Sequence, residues 1–255
     1  MGHWYAKDGT PTYEVPNASK GGLRPTTLTD AKKLHLVPSV TTILEVPDKP
    51  ALLRWKTEQV LKAAWENVRT EMSTFDDWKR QIMYTSESVG REAATRGHEI
   101  HDALEQFYLG GDLQLKDLEF IAPVVAAMNE RFPGVKWVPE SSFTSIQHGF
   151  GGRIDMYSPE GIVLDFKTKN TDDVKKMVAF EGHHMQTAAY AVGLLENDRF
   201  DSVEIDKVRR YNLFISTQQP GLITITESKE FDKDWEMFST LNRYWQLKNN
   251  YKPGG

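Results

Sequence analysis

The chain has no cysteine among its 255 residues, which excludes a disulfide framework, a thiolate metal site and a cysteine nucleophile. Positive charge is not in excess either: 31 lysines and arginines against 36 aspartates and glutamates leave a formal net charge of −5. A protein that coats nucleic acid by bulk electrostatics needs the opposite balance, so any phosphate contact has to come from a local patch. No apolar run reaches membrane-spanning length, no internal repeat or low-complexity segment is visible, and Met1-Gly2-His3-Trp4-Tyr5 carries no signal-peptide pattern. These absences lead to the expectation of a soluble, cytoplasmic protein without membrane association, built as one large domain or as a core with an appendage.

The densest information lies in Gly151-Gly152-Arg153-Ile154-Asp155-Met156-Tyr157, a Ser158-Pro159-Glu160-Gly161 turn, and Ile162-Val163-Leu164-Asp165-Phe166-Lys167-Thr168-Lys169. This reads as a β-hairpin. Pro159-Glu160-Gly161 fits a type I turn followed by a glycine at positive φ, which pairs Ser158 with Ile162 and by extension Asp155 with Asp165. Directly opposed residues have Cβ atoms about 4.5–5.5 Å apart, and like charges so placed need compensation. A divalent cation is the obvious one. Alternation puts Lys167 on the face of Asp165 and sends Leu164 and Phe166 into apolar packing on the other side. Hard cations prefer oxygen ligands, and a lysine beside them can position a water or stabilise charge on a phosphate. An isolated Asp-x-Lys is more often a solvated charge pair, so the neighbouring residues have to decide.

Along the chain, residues 1–25 read as a strand or two with loops, and a short helix starts at Thr27 or Thr29. Ser39 is a candidate N-cap after Pro38. A helix is expected over about 48–69, capped by Asp48, with Pro50 in its first turn and Leu53, Val60, Ala64 and Val68 at helical spacing. Trp55, Trp65 and Trp78, near Arg54, Lys56 and Lys62, are either core residues or platforms for unpaired bases. The next helix, about 86–109, lines up Ala94, Gly97, His101, Leu104 and Tyr108, so His101 is either a satisfied core histidine or a ligand. A helix over 117–132 is interrupted or started by Pro123, and a strand or pair of strands over 135–146 carries Glu140, either a third carboxylate for the cluster or an exposed strand glutamate. Asp172 or Asp173 is expected to cap a helix reaching Glu196, from which Gln186 and Tyr190 project together, an amide and a phenol able to orient a phosphate or the lysine. His183 and His184 are adjacent and do not face each other. Strands over 205–216 and 222–226 flank Gln218-Gln219-Pro220-Gly221, a helix from Phe231 to Lys248 buries Trp235, Phe238, Leu241 and Trp245, and residues 252–255 form a frayed tail. Arg153, Lys167, Lys169, Lys175 and Lys176 form either a phosphate-binding patch or a solvated face.

In this order, a helix with Arg96-Gly97-His98-Glu99-Ile100-His101, a strand with Gly152-Arg153-Ile154-Asp155, a strand with Asp165-Phe166-Lys167 and a helix with Gln186 and Tyr190 resemble the RecB-like branch of the PD-(D/E)XK nucleases. That branch includes the RecB nuclease domain, the RecE exonuclease and related phage exonucleases. The resemblance covers about residues 90–195, and residues 38–44 followed by a tryptophan-bearing helix look like phage members. It implies an α/β restriction-endonuclease-like core over 86–255, a mixed sheet flanked by helices, preceded by a mostly helical region 1–85 that forms a DNA channel or arch. It implies that His101, Asp155 and Asp165 bind one or two Mg2+ or Mn2+ ions with the backbone carbonyl after Asp165, and that Glu140 is the candidate for a first acidic motif that varies across the family. Lys167 would be catalytic together with Asp155 and Asp165, Gln186 and Tyr190 would form the glutamine-tyrosine motif beside the DNA backbone, and Arg153 and Lys169 would contact nucleic acid. The implied activity is metal-dependent DNA exonuclease, 5′→3′ on linear DNA, in phage or bacterial recombination, replication or repair. DNA is the implied partner, and a single-strand-annealing or replication protein and a second copy of the chain stay open as further partners. A structure-specific endonuclease on the same core and a non-catalytic nucleic-acid-binding module are the alternatives; the complete set of His101, Asp155, Asp165 and Lys167 argues against the second.

Overall fold

The computed structural model describes residues 2–17, 21–70 and 73–254. Its centre is a five-stranded sheet in the order β5 (Val138–Ser145), β6 (Phe150–Ser158), β7 (Ile162–Lys169), β8 (Arg209–Ser216), β9 (Ile223–Ser228). Neighbours are antiparallel except β7 and β8, which are parallel. A parallel pair needs a crossover, and α6 (Glu181–Glu196) supplies it.

Alternation along β7 feeds two cores. Val163 joins Phe143, Phe150, Ala189, Leu194 and the Phe238 and Trp245 side chains of α7 (Phe231–Lys248) on what we term the α6 face. Leu164 and Phe166 join Ile100 and Leu104 of α4 (Phe75–Tyr108), Ile121, Val124 and Met128 of α5 (Leu118–Arg131), and Leu213 and Ile215 on the opposite, α4 face. The expected α/β architecture, a mixed sheet flanked by helices, is therefore present. On the α6 face, Arg210 of β8 is buried, pairs with Asp234 of α7 at 3.0 Å and donates to the His184 carbonyl of α6 at 3.1 Å, which ties both helices to the sheet.

The N-terminal part is less helical and more integrated than the sequence pattern implies. Short strands β1 (Trp4–Tyr5), β2 (Glu14–Pro16), β3 (Leu23–Pro25) and β4 (Val37–Pro38) alternate with α1 (Leu28–Leu34), capped by Thr27, and α2 (Val40–Ile43), capped by Ser39. Trp4, Ala31, Leu36, Val40 and Ile43 pack into the α6-face core. The expected boundary between residues 85 and 86 falls inside α4, which starts at Phe75 because Thr74 caps it and Asp76 and Asp77 favour its positive end. In α3 (Pro50–Glu66) Pro50 starts the helix as expected, but Asp48 does not cap it: Lys49 holds that position without a side-chain bond. Nor does the apolar pattern of α3 mark a core stripe, since only Ala63 is buried while Leu53 is 68% and Trp65 87% exposed.

Three other expectations shift. Asp173 caps a 3-10 turn, Val174–Lys176, and α6 begins only at Glu181. β8 begins at Arg209, after a 3-10 turn over Ile205–Lys207. Residues 252–254 are not frayed: Pro253 is buried, and Tyr251 just before them donates to the Ala31 and Leu36 carbonyls at 3.0 and 2.6 Å. Helix α6 can approach β5 because residue 193 is glycine; a Cβ there would lie 1.9 Å from the Phe143 ring. Gly193→Ala is therefore expected to destabilise the fold by about 1–3 kcal/mol, seen as a lower urea midpoint by circular dichroism; an unchanged midpoint would contradict this contact.

Candidate active site

The site begins where β6 and β7 part. Their ladder pairs Ser158 with Ile162, Tyr157 with Val163 and Met156 with Leu164, and ends there. The turn is as expected: Gly161 has φ +85° and its N–H donates to the Ser158 carbonyl at 3.0 Å. The direct opposition of Asp155 and Asp165 is not. Instead the Asp155 carboxylate fills the gap, its Oδ2 accepting the Phe166 backbone N–H at 2.7 Å.

The cause lies on the other neighbour. On β5, Glu140 has φ +45° and drops out of the ladder between the pairs Pro139–Met156 and Ser141–Ile154. Beside that kink β6 changes phase, because Tyr157 faces the α6 core, Met156 the α4 core and Ile154 the α6 core again. Asp155 sits at the slip. It is thereby within reach of both layers.

From α4, His101 Nδ1 comes within 3.4 Å of Asp155 Oδ1, its ring edge-on to Phe166. From the α6 side, Lys167 Nζ lies 2.6 Å from Asp165 Oδ2, which also accepts from Asn212 Nδ2 at 3.1 Å. Lys167 donates in addition to Gln186 Oε1 at 3.0 Å, and Gln186 Nε2 to the Tyr190 hydroxyl at 2.8 Å. The sequence-based set thus comes together as a His101–Asp155 pair and an Asp165–Lys167–Gln186–Tyr190 chain, which meet at the Phe166 backbone. A cleft of about 1470 Å³ opens over Lys167 and Gln186, walled by Leu52, Phe180, His183 and Met237.

Other candidates stand differently. Arg153 is not a free phosphate-binding cation, since its Nε pairs with Glu140 and its Nη2 with Glu105 of α4 at 3.0 Å. Glu140 is accordingly held by Arg153. Lys169 Nζ sits over the Phe180 ring at 4.5 Å, and Lys175 and Lys176 are exposed. His184 bonds Ser228, and the His183 ring lies tilted against Phe180 and Phe214, so neither is engaged with the aspartates. Among the described residues no group of three histidine or acidic side chains forms a ready-made cation cage. Each carboxylate is engaged by a donor of the protein itself.

Burial drives the electrostatics. It pushes the Asp155 carboxyl up, but the His101 ring, Lys167 and the Phe166 N–H outweigh it and hold Asp155 below the usual carboxylate range. Asp165 goes the other way, raised by burial and by Asp155 against the pull of Lys167. Burial opposes the proton on His101, yet Asp155 wins and raises it. Glu140 is pushed up to about 7 by burial and Asp155, which outweigh its Arg153 partner. Tyr190 is raised well above the phenol range, chiefly by burial, and stays protonated. Four carboxylates (Glu105, Glu140, Asp155, Asp165) thus lie among Arg153, Lys167 and the His101 ring. Carboxylate oxygens and an imidazole converging in one place are a donor set that fits a hard divalent cation.

No family model and no curated protein matches the chain. Among solved structures it is similar to a candidate exonuclease from Eubacterium rectale, at 14% identity over 62% of this chain and 69% of that one with a TM-score of 0.41. It is also similar to an alkaline exonuclease from Laribacter hongkongensis, at 11% identity over 77% of this chain and 92% of that one with a TM-score of 0.43.

The raised carboxyl of Glu140 generates a stability prediction. Its folded-state value of about 7 lies above the ordinary 4.5, so the folded chain favours the protonated form; stability is full below pH 4.5 and declines as pH rises toward 7. Glu140→Gln removes that penalty. It should raise the unfolding free energy at pH 8 by about 1–2 kcal/mol after allowance for partial solvent screening and leave it unchanged at pH 4. Urea titrations at the two pH values check this, and equal effects at both would contradict it.

Proposed function

We propose that the chain is a divalent-cation-dependent nuclease of the PD-(D/E)XK kind, of the RecB/RecE-like branch, that degrades linear DNA from its 5′ ends. The observation that carries this reading is the convergence of His101, Asp155, Asp165, Lys167, Gln186 and Tyr190 at a sheet opening beside a large cleft. Carboxylate oxygens and an imidazole brought together from two layers beside a lysine are the donors that a hard divalent cation takes.

His101, Asp155, Asp165 and the backbone carbonyl after Asp165 would hold Mg2+ or Mn2+, with Glu140 as a further carboxylate once it leaves Arg153. Such an ion, when bound, supplies Lewis-acid stabilisation of charge on the phosphate and eases deprotonation of water. Lys167, kept in place by Asp165 and Gln186, orients the attacking water or neutralises charge on the phosphate in the transition state. Tyr190 accepts from Gln186 and fixes the amide so that its oxygen faces the lysine. Lys169, Lys175 and Lys176 are the cations for backbone phosphates, and Arg153 joins them if a phosphate replaces Glu105 and Glu140. The exposed Trp65 on α3, with Arg54 and Lys62 on the same helix, suits contact with a strand outside the site, in keeping with a channel or arch. A role in recombination, replication or repair in a bacterial or phage-infected cell follows from this reading, with an annealing or replication protein and a second copy of the chain as candidate partners.

End-labelled linear DNA with Mg2+, Mn2+ or chelator tests it. The native chain should release label with either ion, not with chelator, and should leave circular duplex intact. Asp165→Ala and Lys167→Ala should each lower the rate by about 10²–10³ with unchanged circular dichroism. Cation-independent release, or full activity in either folded variant, would remove the assignment; cleavage of the circle would replace the exonuclease by an endonuclease.

A further inference from the structure

On β8 the residue in register with Asp165 is Asn212, and it is fully buried. Its Nδ2 donates to Asp165 Oδ2 at 3.1 Å, the same oxygen that Lys167 Nζ approaches at 2.6 Å. Its Oδ1 accepts nothing. With the hydroxyl of Thr224 it is one of two buried side-chain polar atoms among the described residues that lack a hydrogen-bond partner. A buried amide that uses one polar atom and strands the other is a poor core residue, and a leucine of similar size in this place would carry no such cost.

We propose that Asn212 is a positioning residue that sets the orientation of the Asp165 carboxylate for a divalent cation. Two donors converge on Oδ2, and among the described residues no donor reaches Oδ1, which leaves that oxygen for an ion. Being neutral, the amide fixes the carboxylate without cancelling its charge, whereas a second lysine there would compete with the ion. An unpaired buried acceptor retained beside a reacting group is what a site built for function at the expense of stability looks like. This inference rests on the cation-dependent reading of the site and deepens it.

The test uses the full chain with Asn212→Leu and Asn212→Ser, followed by thermal melting and by calorimetric titration with Mn2+ alone. Asn212→Leu should melt at or above the native temperature while its Mn2+ dissociation constant rises about tenfold or more. Asn212→Ser, which removes the amide without adding apolar bulk, should show a similar loss of affinity, so a leucine that fails to fit does not decide the outcome. Mn2+ affinity within twofold of native in either folded variant overturns the role of Asn212 while leaving the site assignment standing. If the native chain itself takes up no Mn2+, the site assignment falls and the role of Asn212 falls with it.

Discussion

One hydrogen bond sets the geometry on which the site depends: the Phe166 backbone N–H donates to the Asp155 carboxylate at 2.7 Å, across the gap where β6 leaves β7. A charge-assisted bond of this kind contributes about 1.5–3 kcal/mol and offsets part of the cost of burying the carboxylate. It also does what a ladder carbonyl would otherwise do. Phe166 keeps its place in the α4-face core with its N–H satisfied, and the sheet tolerates an opening in its middle.

That opening lets side chains from both layers meet. His101 descends from α4, Asp165 and Lys167 rise on the α6 face, and Gln186 and Tyr190 brace the lysine from α6. A regular hairpin with the two aspartates directly opposed would have kept both on one face, away from His101. The positive φ of Glu140 supplies the phase slip, and the pairing of Glu140 with Arg153, which Glu105 of α4 anchors in turn, holds that strained residue in place.

Much of this was legible in the residues. The Pro159-Glu160-Gly161 loop, the inward Leu164 and Phe166, the joint projection of Gln186 and Tyr190 and the bounds of α7 all follow from local rules of turn chemistry and periodicity, and local rules govern them. The slip at Asp155 was not legible, because a glutamate at positive φ carries no sequence signal and arises from tertiary packing. The pairing of Arg153 was not legible because its carboxylate partners come from a different helix and strand. Asn212 was missed for a similar reason: a single asparagine in a strand has no motif, and its importance lies in the parallel pairing of β7 with β8. The exposure of the apolar side chains of α3 was not legible because their helical spacing does not reveal how little the helix has to pack against.

On the proposed reading, Asp155 and Asp165 are held apart from a direct pair so that a cation can lie between them. Anomalous diffraction from crystals soaked in manganese decides whether it does. A peak is expected between the two carboxylates, within coordination distance of both and of His101, with Asp155 and Asp165 reoriented toward it. A map with no such peak, in which Asp165 still binds Lys167 and Asp155 still binds only His101 and the Phe166 N–H, would contradict it.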